Sequence, residues 1–123
     1  MSDRRRIPYP KPTEFEVQAE AYVYLKSAGY DVRGEISVHG NRSQGTRGAR
    51  FDLVIYDWQT KQALLIIEAK RNPNGQGSKQ GGYYSRFTGL KCIYIRGMKD
   101  IGPQLLAEVE ANLAPVTWKQ VVA

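Results

Sequence analysis

The sequence predicts an α/β fold, a mixed central sheet flanked by helices. Three observations predict it. Two short apolar runs, residues 51–57 and 63–70, are separated by a five-residue polar link, short enough for a hairpin. A helical pattern with capping residues precedes them over residues 13–28. Further runs follow, so the expected order is helix, strand, strand, strand, helix, strand, helix.

With 123 residues the chain makes one domain, long enough to bury roughly two thirds of its unfolded surface without disulfide or metal staples. Residues 13–123 form this domain, and residues 1–12 form a basic arm. The arm holds Arg4, Arg5, Arg6 and Lys11 with prolines at 8, 10 and 12, a density that stops a helix and favours an extended segment. It reads either as a strand-tracking arm for a phosphate backbone or as a plain tail.

Thr13 begins the first helix as N-cap, and Glu16 completes the capping-box pattern. Gly29 supplies the stop. Val17, Ala21, Leu25 and Ala28 share one face of the wheel. Glu14 falls at the centre of that face, with Gln18 beside it; Glu14 is either aimed inward or favours the helix dipole from an exposed first turn. Residues 30–38 alternate as a strand, with Val32, Ile36 and Val38 on one side. Residues 39–50 are glycine- and arginine-rich and cannot add to a core, so they read as a long loop leading to Asp52. His39, the only histidine, reads as incidental there.

The run 63–70 is apolar on both faces until Glu68, as in a central strand covered on both sides. A second polar loop follows from Arg71. Ser78 then caps a short helix to about Thr88, weakened by Gly81 and Gly82 at about 1 kcal/mol each. Gln80 and Tyr84 share a face of it. Residues 90–95 read as another strand. Gly102 and Pro103 open a last helix with Leu105, Leu106, Val109 and Leu113 apolar, ended by Pro115. Residues 116–122 are open between an edge strand and a packed tail.

Several classes are excluded or set aside. No apolar run approaches 18 residues, so no membrane span is expected. The N-terminal arginines have no apolar stretch behind them, unlike a signal peptide. A single Cys92 excludes an internal disulfide and a cysteine-based zinc site, and reads as a buried strand residue. An intracellular, cytoplasmic protein is expected, with neither membrane partner nor small-molecule cofactor.

Net charge is +6, and its distribution matters more than its sum. Residues 70–99 carry seven Lys or Arg and no acid, and residues 33–50 carry four Arg against Glu35. Segregated positive charge points to a polyanion, with a solvated basic surface as the alternative. Arg42, Arg47, Arg50, Arg71, Lys79 and Arg86 are the candidate nucleic-acid contacts.

The chemistry is expected at one sheet rim. Glu68 and Lys70, two apart on a strand, emerge on the same face, and Asp52 on the neighbouring strand reaches the same spot. Asp and Glu oxygens are hard ligands suited to Mg²⁺ or Mn²⁺, with the Ala69 carbonyl able to add another. Such an ion would polarise a phosphodiester and lower a water's pKa, while Lys70 orients that water or stabilises developing charge. A salt-bridged cluster without chemistry is the plain alternative.

Asp52, Glu68-Ala69-Lys70 and Gln80-Gly-Gly-Tyr-Tyr84, preceded by Thr13-Glu-Phe-Glu-Val-Gln18 and Gly29-Tyr30, together resemble the PD-(D/E)xK, or restriction-endonuclease-like, nuclease superfamily. Virus-type replication-repair nuclease domains and Holliday-junction resolvases are the nearest comparisons, over roughly residues 13–96. The resemblance implies an αβββαβ core and divalent-metal-dependent phosphodiester hydrolysis. It implies Asp52 and Glu68 as metal ligands, Lys70 as the catalytic lysine, and Glu14 as the helix glutamate, with Glu16 and Gln18 as rival registers. Gln80 and Tyr84 match a motif of some branches. Phe51 stands where the name-giving proline would be. The expected function is therefore a Mg²⁺- or Mn²⁺-dependent DNA endonuclease, restriction-like or structure-specific. A non-cleaving nucleic-acid-binding module, or a subunit of a larger restriction or repair assembly, is the alternative. So small a domain has little room for target recognition, which leaves a homodimer open.

Overall fold

A computed structural model of the chain describes residues 7–38, 49–70 and 88–113. Helix α1, Glu14–Ser27, starts with both halves of the predicted capping box. The Glu16 amide donates to Thr13 Oγ1 at 3.1 Å, and the Thr13 amide donates to Glu16 Oε1 at 2.9 Å. Val17, Ala21 and Leu25 form its buried face. Ala28, expected on that face, is instead the exposed C-cap, because the chain turns away at Gly29 with φ +99°. That left-handed conformation suits glycine.

Four strands follow: β1 (Asp31–Val38), β2 (Ala49–Tyr56), β3 (Ala63–Ala69) and β4 (Cys92–Ile95). They form one mixed sheet in the order β1-β2-β3-β4. The first three are antiparallel neighbours, and β4 runs parallel to β3. The β2–β3 link is a tight turn. Asp57 Oδ1 accepts from the Gln59 and Thr60 amides, both at 2.8 Å, and Lys61 takes φ +63°. These amide bonds hold the Asp57 carboxyl below its ordinary pKa. The Trp58 indole donates to the Gly29 carbonyl at 2.7 Å, tying the turn to the end of α1.

In β3 every residue except Leu64 is buried, as its two-sided apolar run requires. Leu65, Ile67 and Ala69 pack with α1 and with Leu53 and Ile55 of β2. Leu105 and Val109 of the last described helix, α2 (Pro103–Asn112), join the same cluster. The opposite face carries a second cluster of Phe51, Val54, Ala63, Ile66 and Leu90. Both described helices thus cover one face, and the helix expected over residues 79–88 lies outside the described residues except Thr88. Residues 116–122 and residues 39–48 also lie outside them; of the loop expected over 39–50, Ala49 and Arg50 instead open β2, paired with Val38 and Ser37 of β1.

Two polar anchors brace the packing. Asp31, 2% exposed, pairs with Arg33 Nε at 2.9 Å and lies 4.0 Å from Lys61 Nζ. A charge so buried needs such partners. The Tyr30 hydroxyl donates to Glu110 on α2, and burial with that contact pushes its pKa up to about 12. No described helix is long and apolar enough to cross a membrane.

Candidate metal centre

The site lies where β2 and β3 run past their last paired positions, Leu53 with Ile67. Continuing that antiparallel register sets Asp52 beside Glu68. Each carboxylate reaches across to the other strand. The Asp52 amide donates to Glu68 Oε2 at 2.7 Å, and the Ala69 amide donates to Asp52 Oδ2 at 2.9 Å. This exchange brings together two acids sixteen residues apart. Lys70 follows directly, half-buried, its amide donating to the Ile95 carbonyl at 3.0 Å.

Glu68 is only 3% exposed, in a strand flanked on both edges by β2 and β4. Burial pushes its pKa from 4.5 up to about 7. The Asp52 charge raises it further, while the Asp52 amide and the Lys70 ammonium pull it back. Cys92 of β4 is half-buried rather than buried; its thiol is pushed up to about 12, first by burial and then by the nearby Glu68 charge.

From the other side, α1 touches the site through its second turn. Gln18 Nε2 donates to the Asp52 carbonyl at 3.2 Å and to Glu35 Oε2 at 2.8 Å. Glu14 is exposed in the first helical turn, so the polar residue the helix aims inward is Gln18. For Ala69 it is the amide that meets the pair. Arg50, exposed at the start of β2, is ion-paired with Glu35. Gln80, Tyr84, Arg42, Arg47, Arg71, Lys79 and Arg86 lie outside the described residues.

Sequence reasoning passed over Glu35 and Asp31. Glu35 sits in an alternating strand pattern at an ordinary polar position, and only the β1–β2 register brings it opposite Asp52. Asp31 had one signal, an acid two residues before Arg33 on the same strand face.

The donor chemistry fits a hard divalent cation. Two carboxylates converge, and one is buried, with a pKa raised first by that burial and then by the charge of the other. Among the described residues no group of three or more His, Cys, Asp or Glu forms a metal cage. Two carboxylates with remaining positions left to water or phosphate is a usual magnesium arrangement. Comparison with protein-family models, curated proteins and solved structures gives no match.

Proposed function

We propose that this chain is a divalent-metal-dependent DNA endonuclease with a restriction-endonuclease-like core. The observation that carries the reading is the convergence of Asp52 and Glu68 through reciprocal amide bonds, with Lys70 following Ala69. The antiparallel run β1-β2-β3 ahead of a parallel β4 supports the core. The charge pattern supports an anionic substrate.

Asp52 and Glu68 would hold Mg²⁺ or Mn²⁺, which when bound supplies Lewis acidity toward the phosphodiester and an acidified water. The chain's own residues do the rest. The Asp52 and Ala69 amides keep both carboxylates in place. Lys70 carries a positive charge close enough to lower the Glu68 pKa, and so can stabilise charge developing on a phosphate at the same rim. Arg50 lies on the same strand, two residues before Asp52, exposed and paired with Glu35, and would exchange that partner for the DNA backbone.

Plasmid and branched DNA incubated with Mg²⁺ or Mn²⁺ provide the test. Wild type should cut, and Lys70→Ala should cut about 100-fold more slowly or worse while still binding Mn²⁺. Equal cutting by both proteins, across several DNA structures, would overturn the enzyme reading. The competing reading, a non-cleaving nucleic-acid-binding module, is favoured by one observation: one oxygen of each carboxylate already accepts a backbone amide, so the pair is held in place without an ion. It requires DNA binding that is indifferent to metal.

A further inference from the structure

Glu35 occupies a conformation rare for its type. Its φ is +57°, in the left-handed region, although it lies within strand β1. Its place in the sheet is specific. The β1–β2 pairing joins Gly34 to Leu53 and Ile36 to Phe51, and the skipped position sets Glu35 opposite Asp52. The turn of the backbone there sends the carboxylate toward α1 and the start of β2. Oε2 accepts from Gln18 Nε2 at 2.8 Å, and Oε1 is paired with Arg50.

The consequence lies in Gln18. Its side-chain amide has a donor end and an acceptor end. The Glu35 carboxylate and the Asp52 carbonyl only accept, so both require the donor end. Glu35 therefore orients the amide that grips the Asp52 backbone. The ion pair with Arg50 is exposed and stabilises little, so it does not offset a left-handed glutamate. Backbone outliers of this kind are retained where geometry matters.

We propose that Glu35 is a positioning residue for the carboxylate pair. It fixes Gln18, Gln18 fixes the Asp52 backbone, and the Asp52 carboxylate is thereby aimed at the Ala69 amide beside Glu68. The use of this latch in metal binding rests on the nuclease reading above.

Glu35→Gly is the informative variant, because glycine accepts the φ while deleting the carboxylate. Glu35→Gln keeps an acceptor at the same reach, and Gln18→Ala removes the link itself. The first measurement is amide hydrogen exchange on the metal-free protein. Ala69 should exchange about tenfold faster in Glu35→Gly and Gln18→Ala, with Leu65 and Ile66 unchanged and Glu35→Gln close to wild type. The second is a calorimetric Mn²⁺ titration, in which Glu35→Gly should bind about tenfold more weakly, as loss of an outer partner does at other metal sites. Unchanged exchange at Ala69, or an increase spread evenly along β3, overturns the positioning role. Faster Ala69 exchange with unaltered Mn²⁺ affinity overturns its service to the metal and leaves the nuclease reading standing. A wild type that binds no Mn²⁺ overturns that reading and the latch's use together.

Discussion

Glu68 concentrates the physics of the site. A carboxylate 3% exposed in a central strand is held by one amide and a neighbouring lysine, and its pKa still rises to about 7. The sign of the linkage follows. Between pH 4.5 and 7 the folded protein keeps a proton that the unfolded chain releases, so metal-free stability falls as pH rises through that window. The loss by pH 8 should be on the order of 3 kcal/mol, from roughly 1.4 kcal/mol per unit of pKa. Urea titrations at pH 5 and pH 8 with chelator present should reveal it. Glu68→Gln should flatten the profile, and Mn²⁺ at pH 8 should restore stability to the wild type only. A flat wild-type profile would mean that Glu68 titrates as an ordinary glutamate. Sequence spacing was enough to anticipate Asp52, Glu68 and Lys70 as neighbours, because strand alternation and a short hairpin leave them few other places. The helix residue was harder. Glu14 and Gln18 lie 40° apart on a wheel, and an angle says nothing of how far along its axis the helix meets the sheet. Gln18, one turn further in, makes the contact.

Elements whose ends carry local chemistry were legible. The capping box of α1 forms as its residue types demand, and Gly29 closes the helix. Thr13→Ala should cost about 1 kcal/mol in a denaturant titration, through loss of the hydroxyl that accepts from the Glu16 amide at an exposed helix end. No measurable change would mean the helix is held by its buried face alone. The strands β2 and β3 were legible from their apolar runs, and their turn from the short link 58–62; Asp57, read as the end of the first run, lies past β2 and caps that turn. Strand β1 was legible in extent but not in its interior. At Glu35 the backbone turns to φ +57°, and its carboxylate meets Gln18 and Arg50, seventeen residues before it and fifteen after it in the chain. No local propensity encodes that.

The basic charge belongs to the whole molecule. If DNA is held by lysines and arginines spread along the chain, binding should fall steeply with salt. In a chelator, where nothing is cut, anisotropy with a labelled duplex should give a log–log salt slope of several units. Arg50→Ala should reduce it by about one while leaving sequence preference unaltered. An unchanged slope would remove Arg50 from the contacts and leave it as the partner of Glu35. The layering of the sheet was less accessible than its order. Both described helices pack on the face of Leu65, Ile67 and Ala69, and the second cluster around Phe51 and Ile66 lies opposite. An apolar helix face states that it is buried, not which side of a sheet receives it.

Local patterns alone were sufficient for the element types, the capped start of α1, the hairpin, the two-sided burial of β3 and the candidacy of Asp52, Glu68 and Lys70. Each depends on residues within a turn or a strand of one another. The exchange of amides between Asp52 and Glu68, the raised pKa of Glu68 and the Gln18–Glu35 link arise only in the folded chain. Register and desolvation create them, and both are properties of segments brought together from afar.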